Sequence, residues 1–171
     1  TDFYTNQGII EYEYLDGESL TFLQCAHCHF IFQEMIPGPI FAQRLYEHWI
    51  SPEAAFRIEQ EKKTVKEFWN FASDFTKVLA YFDKSPAEID VFDFGMGWGT
   101  ALSIFKSMGC TVYGNEIAQS RIDYAVQQGI TNLTKEALQQ KTFDYIHAYQ
   151  VLEHVDQPVE ILRALVGRLN D

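Results

Sequence analysis

Segments of strand length alternate with helical segments from residue 89 to residue 170, and this alternation is the strongest constraint on the fold. The predicted strands are "IDVFDFG", "CTVYGNE", "ITNL" and "FDYIHAYQV", and the predicted helices are "TALSIFKSMG", "QSRIDYAVQQG" and "PVEILRALVGRLN". Apolar strands separated by helices are typical of a parallel sheet with helices on both faces. The sequence therefore predicts an α/β fold with a doubly wound, mostly parallel sheet.

The segments before residue 89 show two further patterns. Runs of β type, "IIEYEYL", "LTFLQC" and "HFIFQ", lie within residues 9–33, and "DGES" between the first two predicts a hairpin turn. "MIPGPI" then indicates a linker, and a helix is predicted from Ser51 to about Asp83. The apolar residues that share one face of this helix, and are predicted to cover the sheet, are Phe68, Phe71, Phe75, Val78, Leu79 and Phe82.

These patterns predict three parts in the chain. A small β module is expected over residues 1–36, a linker and helical segment over 37–88, and a ligand-binding α/β domain over 89–171.

The formal net charge of −11 limits the class of partner. Non-specific binding to nucleic acids depends on Lys and Arg contacts to phosphates, so no nucleic-acid partner is expected.

No apolar run has the length of a membrane span, and we find no signal-peptide pattern. Three cysteines, Cys25, Cys28 and Cys110, are too few and too unevenly placed for a disulfide framework. We therefore expect a cytoplasmic protein with no membrane partner.

Three glycines alternate with other residues in "VFDFGMGWGT", directly after the first predicted strand. In an open parallel sheet, a glycine-rich turn at this point lets a ligand approach the backbone, and the following helix N-terminus favours an anionic group. The spacing of Gly95, Gly97 and Gly99 differs from that of the dinucleotide motif, whose third glycine would stand at Thr100. No lysine follows the glycines before Lys106, so the P-loop pattern is absent. An NAD site is therefore disfavoured and a P-loop is excluded.

Two acidic residues end the strands next to this turn. Glu116 ends the second predicted strand, where a carboxylate can accept hydrogen bonds from both hydroxyls of a ribose. Asp93 ends the first strand and can hold an ammonium group directly or through water. The carboxylate of Glu116 therefore indicates a nucleoside ligand.

Three segments together resemble the class I S-adenosylmethionine-dependent methyltransferases. "VFDFGMGWGT", "VYGNEIAQSRIDYA" and "FDYIHAYQVLEHVDQPVEILRAL" are similar, in order and spacing, to the first, second and fourth motifs of that family. The resemblance implies a Rossmann-like fold, bound S-adenosylmethionine and methyl transfer. It covers the cofactor half of such a domain, so we expect a C-terminally incomplete sheet. The exposed edge of such a sheet would favour pairing with a strand of another chain. A homo-oligomer is one arrangement that would supply that strand.

The resemblance also implies the position of the cofactor. The three glycines and Asp93 would contact its amino-acid part, and Glu116 would bind its ribose. Residues Lys135, Glu136 and Ala137 would flank the adenine, although the aspartate often found after the third strand is absent. The stretch from Tyr149 to Leu152 would lie beside the methionine portion. The implied cofactor-binding residues are Asp93, Gly95, Gly97, Gly99, Glu116, Ala137, Tyr149 and Gln150.

His154 in "LEHV" is the candidate catalytic residue. Methyl transfer is an in-line displacement at a sulfonium methyl, so positioning of the reactants accounts for much of the acceleration. Where the acceptor must lose a proton, a base near the methyl group helps, and a histidine has a suitable pKa. The alternative is that Glu153 and His154 orient the loop or cap the last helix.

Cys25 and Cys28 have the C-x-x-C spacing of a knuckle that presents two thiolates to one metal ion. With the following "LYEHWISP", this stretch resembles the second knuckle of the zinc ribbon that precedes some methyltransferase domains. The candidates for further ligands are His27, which is poorly placed between the cysteines, His29, and residues before Thr1. A truncated half-site is the alternative to an intact zinc site.

The predicted function is therefore methyl transfer from S-adenosylmethionine to a small-molecule acceptor. The acceptor, and whether oxygen, nitrogen or carbon is methylated, are not readable from the sequence. A non-catalytic, methyltransferase-like binding or interaction protein is the alternative, and an NAD-dependent enzyme is a third, disfavoured one.

Overall fold

The structure is a computed structural model that describes residues 11, 13, 15–17, 19–36 and 38–170. The chain divides into two compact units, Thr1–Ala55 and Phe56–Asp171. None of the helices in the described part of the chain is long and apolar enough to cross a membrane.

The first unit contains a short antiparallel hairpin followed by helix. Strand β1 (Phe22–Gln24) pairs with β2 (Ile31–Gln33), and residues 26–28 form the turn between them. Helix α1 (Pro39–Arg44) follows and continues as a π-helical turn at Leu45–Trp49. The hairpin joins the second and third predicted β runs, whereas much of the first run lies outside the described residues.

Two helices occupy the segment for which one long helix is predicted. Helix α2 spans Pro52–Lys62, and α3 spans Val65–Leu79, ending before Asp83. The break occurs because Thr64 has an extended backbone and its Oγ1 accepts a hydrogen bond from the N–H of Glu67 at 3.2 Å, which caps α3. The prediction of one continuous helix is wrong at this position.

The second unit is built on a parallel sheet. Its strands and helices are β3 (Asp90–Phe94), α4 (Thr100–Ser107), β4 (Thr111–Asn115), α5 (Gln119–Gln127), β5 (Thr131–Asn132), α6 (Lys135–Leu138), β6 (Tyr145–His147) and α7 (Pro158–Val166), with 3-10 turns at Pro86–Glu88 and Leu152–His154. The four strands lie in the order β5-β4-β3-β6, and each neighbouring pair is parallel. The predicted doubly wound α/β fold is confirmed.

Helices cover both faces of this sheet. Val91 and Phe92 follow one another in β3 and point to opposite faces, so they belong to different core clusters. The Val91 cluster includes Phe75 of α3 and Phe105 of α4, and the Phe92 cluster includes Leu165 of α7. Each fully buried apolar side chain of this size contributes roughly 1.5–3 kcal/mol. The two clusters therefore fix the strands whose ends carry the predicted site.

Most of the predicted apolar face packs against the core, within α3 or just after it. Phe75 is buried in the Val91 cluster, and Phe71, Leu79 and Phe82 pack against that cluster. Phe68 is 55% exposed, which corrects its prediction as a core residue. The contacts with the core begin at Phe71, almost one helical turn further along α3.

Candidate functional site

The carboxyl ends of β3, β4 and β6 meet at one edge of the sheet. In the parallel register, Asp93 is the partner of Gly114 in β4 and of His147 in β6. The glycine turn follows β3, Glu116 follows β4, and Tyr149 follows β6. Ligands of open α/β sheets bind beyond the carboxyl ends of the strands, so the fold brings these residues to the ligand-binding edge.

The three glycines of the turn differ in what surrounds them. Gly95, Gly97 and Gly99 have φ angles of 74°, 54° and 73°, which favour glycine. A Cβ at Gly95 would lie 2.5 Å from Cγ2 of Val151, and a Cβ at Gly99 would lie 2.5 Å from Cδ1 of Ile130. A Cβ at Gly97 would meet no described atom within 4 Å. Internal packing therefore excludes side chains at the first and third glycines, whereas the middle glycine faces space that a ligand can occupy.

Neighbouring side chains hold the turn in place. The ring of Trp98 packs edge-on against Phe56, with centroids 4.9 Å apart, and against Tyr124, with centroids 5.7 Å apart. Asn115 accepts hydrogen bonds from two N–H groups of the turn, through its backbone carbonyl at 2.9 Å and through its Oδ1 at 3.0 Å. The turn is therefore fixed before any ligand binds.

The carboxylate of Glu116 is bound to the same turn. Its Oε2 accepts a hydrogen bond from the N–H of Gly97 at 3.0 Å. Its Oε1 accepts hydrogen bonds from the N–H groups of Ile117 at 2.8 Å and Ala118 at 3.0 Å. The guanidinium of Arg121 lies 3.8 Å from Oε2, and the Glu116 side chain is 7% exposed. These contacts hold the carboxylate beside the middle glycine.

Asp93 is a buried carboxylate behind the turn. The residue is 4% exposed, and its Oδ1 lies 3.0 Å from Nδ1 of His147. Burial raises the pKa of the Asp93 carboxyl; the hydrogen bond and charge of His147 oppose this rise, and the nearby charge of Glu116 adds to it. The charge of Asp93 therefore depends on its histidine partner.

Aromatic rings surround His147 and continue to the protein surface. The imidazole packs edge-on against Phe75 at 5.6 Å and is stacked on Tyr149 at 6.1 Å. The Tyr149 ring also lies edge-on to Phe71 at 6.2 Å. Because Tyr149 is 60% exposed, it presents an aromatic surface at the ligand-binding edge.

A cavity of about 860 Å³ opens beside Glu116, between α6 and α7. Asn132 lines this cavity, and its Oδ1 is buried with no hydrogen-bond partner among the described residues. Buried polar atoms without partners are rare in native proteins, so this oxygen marks a place for a donor from a ligand or water. Lys135 and Leu138 also line the cavity, and Ala137 is an exposed residue between them in α6.

Gln150 and His154 lie on the loop after β6. Gln150 is exposed and has a φ of 54°, and the next residue, Val151, is the one that packs over Gly95. The His154 side chain is 55% exposed, and its Nε2 lies 3.9 Å from Oε1 of Glu153. The assignment of His154 as a base stays a prediction.

Cys25 and Cys28 lie at the tip of the hairpin in the first unit. The N–H of Cys25 donates to the carbonyl of Phe30 at 2.8 Å, and the N–H of His29 donates to the carbonyl of Cys25 at 2.9 Å. Hydrogen bonds from the backbone N–H groups of Cys28 and His27 lower the pKa of the Cys25 thiol. Among the described residues, no group of three or more His, Cys, Asp or Glu is placed to hold a metal ion. A structural zinc site needs four ligands, and the described residues offer only the two cysteines, so zinc binding stays a prediction.

Sequence reasoning missed three polar residues at this edge: Asn115, Asn132 and His147. All three lie at or near the carboxyl ends of predicted strands, and that position is the signal that identifies them. Their contacts depend on which strands are neighbours in the sheet, and the order of the strands along the chain does not determine their order in the sheet.

Residues 63–171 match the protein family described as a methyltransferase domain, and no curated protein matches the chain. Among solved structures, the magnesium protoporphyrin IX methyltransferase of Synechocystis PCC 6803 with bound S-adenosylmethionine has a TM-score of 0.51 and 20% sequence identity, covering 62% of this chain and 56% of that chain. The plantazolicin methyltransferase in complex with S-adenosylhomocysteine has a TM-score of 0.54 and 20% identity, covering 75% of this chain and 52% of that chain.

The plantazolicin methyltransferase in complex with a pentazolic desmethylPZN analogue and S-adenosylhomocysteine has a TM-score of 0.56 and 17% identity, again covering 75% of this chain and 52% of that chain. The chain thus spans little more than half the length of these solved structures. The likeness is one of fold, and it agrees with the Rossmann-like arrangement predicted from the sequence.

Proposed function

Because this chain belongs to the family of methyltransferase domains, we propose that it binds S-adenosylmethionine and transfers its methyl group to a small-molecule acceptor. The observation that carries the proposal is the open space over Gly97, beside the carboxylate of Glu116 that binds the Gly97 N–H. A ribose has hydroxyl donors for a carboxylate, and an amino acid has a carboxylate that the N-terminus of α4 favours. The open space over Gly97, the carboxylate of Glu116 and the N-terminus of α4 therefore each support this cofactor.

We assign the adenosine to the cavity beside Glu116. The carboxylate has about four lone-pair sites, of which backbone N–H groups use three. A ribose hydroxyl can take the remaining site on Oε2 or replace the N–H of Gly97. An adenine amino group would donate to Oδ1 of Asn132, the buried acceptor without a described partner. Lys135, Leu138 and Ala137 of α6 would lie beside the base.

We assign the amino-acid part of the cofactor to the glycine turn, with Asp93 as the acceptor for its ammonium group. S-adenosylmethionine supplies an electrophilic methyl group on its sulfonium sulfur. The contribution of the chain is to hold the two reactants in line, because orientation alone accounts for a large part of the barrier reduction in such displacements. Tyr149 and Gln150 would form the wall beside the methionine portion.

The acceptor is proposed to bind against the exposed ring of Tyr149, which is supported from behind by Phe71. The similar solved structures are named as methyltransferases of magnesium protoporphyrin IX and plantazolicin, which supports a small-molecule acceptor for this chain. Where the acceptor loses a proton, His154 on the same loop is assigned as the base.

Titration calorimetry with S-adenosylmethionine and, separately, NAD tests the proposal. We expect binding of S-adenosylmethionine and none of NAD, because Thr100 stands where the dinucleotide motif has its third glycine. Binding of NAD alone would contradict the cofactor assignment. Binding of S-adenosylmethionine without formation of S-adenosylhomocysteine across a screen of acceptors would favour the non-catalytic binding protein.

A further inference from the structure

Asp93 and His147 are register partners in neighbouring parallel strands, and their side chains are in contact. Nδ1 of His147 lies 3.0 Å from Oδ1 of Asp93, and the two side chains are 13% and 5% exposed. The proposed cofactor site uses Asp93 and gives His147 no role. A histidine held against a buried carboxylate at the ligand-binding edge therefore needs its own explanation.

We propose that His147 is a positioning residue for cofactor binding: its Nδ1–H donates to Asp93 and keeps that carboxylate charged and oriented toward the ammonium group of the bound amino acid. This inference rests on the proposed function. A hydrogen bond to the ionised form of a carboxyl group stabilises that form, and only the ionised form pairs strongly with an ammonium.

The surroundings of Asp93 disfavour the ionised form of its carboxyl group. Burial raises the pKa of Asp93, and the carboxylate of Glu116 raises it further. Tyr145 also lies near Asp93, and its pKa is raised by burial and by the charge of Asp93. Of the ionisable groups that face Asp93, His147 alone among the described residues favours its negative form.

The imidazole is also held in one orientation. Phe75 lies edge-on to the ring at 5.6 Å with an interplanar angle of 87°, and Tyr149 is stacked on it at 6.1 Å with an angle of 19°. Rings on two sides restrict rotation of the imidazole, so Nδ1 stays directed at Asp93. The same stacking joins this pair to the exposed aromatic surface of Tyr149.

The test compares two ligands across a range of pH. S-adenosylhomocysteine carries the ammonium group, whereas 5′-methylthioadenosine has the same adenosine and no amino-acid group. Dissociation constants for both are measured by calorimetry from about pH 6 to about pH 9. The variants are His147→Leu, which removes the donor, and His147→Asn, whose amide can place an N–H near the position of Nδ1. His48→Leu, at an exposed histidine of the first unit, is the control.

At neutral pH we expect His147→Leu to weaken S-adenosylhomocysteine binding by about tenfold to a hundredfold, the range for a lost hydrogen bond to a charged group. The loss should shrink as the pH rises, because Asp93 then regains its charge without help. Binding of methylthioadenosine should not change, and His147→Asn should restore most of the affinity for S-adenosylhomocysteine.

Equal affinity of wild type and His147→Leu for S-adenosylhomocysteine at every pH would overturn the inference and leave the proposed function intact. Equal weakening of both ligands would also overturn it, since His147 would then only support the fold of the pocket. A wild-type chain that binds neither ligand would overturn the proposed function and this inference with it. If His147→Leu does not fold by circular dichroism, His147→Gln, whose amide lies one methylene further out, replaces it and should bind more weakly than His147→Asn.

Discussion

The Oε2 atom of Glu116 accepts a hydrogen bond from the N–H of Gly97 at 3.0 Å, so the acidic residue after β4 is joined to the middle of the turn after β3. The two residues follow neighbouring strands, and Gly97 is the glycine of this turn beside which there is open space. The acceptor for a ribose and the space for a ligand are therefore parts of the same local structure. The first prediction below tests the ribose acceptor, and the second tests the space for the ligand.

Replacing Glu116 should remove most of the affinity for S-adenosylmethionine. We expect Glu116→Ala to lose charge-assisted hydrogen bonds to the ribose hydroxyls, a loss of roughly 1.5–3 kcal/mol in binding free energy. Calorimetry measures the affinity, and circular dichroism shows whether the turn still folds without its carboxylate. Glu160→Gln, on an exposed face of α7, is the matched control. Unchanged affinity in a folded Glu116→Ala variant would contradict the ribose assignment.

The three glycines should respond differently to alanine. Gly97→Ala carries only the strain of a positive φ, about 1–2 kcal/mol, and its methyl group fills the space proposed for the ligand. Gly95→Ala carries the same strain and also clashes with Val151. We therefore expect a larger drop in melting temperature for Gly95→Ala, partly reversed in the double variant Gly95→Ala with Val151→Ala. Equal drops for the two single variants would show that internal packing does not distinguish these positions.

Asp93→Asn should make the protein more stable at neutral pH and less able to bind the cofactor. Because burial raises the pKa of Asp93 in the folded state, its contribution to stability is complete below the unfolded pKa of about 3.9 and is lost as the pH rises through the folded pKa. The gain in unfolding free energy of the variant should thus grow from acid to neutral pH. Urea unfolding at several pH values measures it.

The control for that comparison is Asp83→Asn, at an exposed aspartate of the same unit. Its stability relative to wild type should not vary in the same way with pH. If the gain in unfolding free energy of Asp93→Asn over wild type shrank toward neutral pH, it would contradict the conclusion that burial raises the pKa of Asp93.

His154→Gln should lower turnover with little change in cofactor affinity. The His154 side chain is 55% exposed, so its removal leaves no buried polar group without a partner, and the fold should be retained. Formation of S-adenosylhomocysteine with an acceptor found by screening measures turnover, and calorimetry measures binding. Normal turnover in this variant would leave His154 with a role in the loop alone.

Cys25 and Cys28 should bind zinc together if the knuckle is part of a metal site. The lowered pKa of Cys25 favours the thiolate that zinc requires. We expect Cys25→Ser and Cys28→Ser each to abolish zinc binding in a competition assay with a chromogenic chelator. Cys110→Ala, at a buried cysteine of the second unit, should not affect it. Retained zinc in both serine variants would exclude the knuckle as the site.

The sequence predicted the fold class because alternation of apolar strands and helices is a local property of the chain. It also predicted the turn, since the glycines of "VFDFGMGWGT" follow a strand directly and their positive φ angles require residues without side chains. It placed Glu116 at the end of a strand, where the structure has it. The single helix predicted over α2 and α3 was wrong because a cap such as Thr64 competes locally with helical periodicity.

Tertiary structure alone decided which residues face one another across the sheet. Asp93 and His147 are 54 residues apart in the chain, and they meet only because β6 pairs with β3. The same holds for Val151 over Gly95 and Ile130 against Gly99, which explain two glycines that the sequence alone would assign to a ligand. Chain order fixes which residues end the strands, but strand order and register fix their neighbours, and these depend on packing of the whole domain.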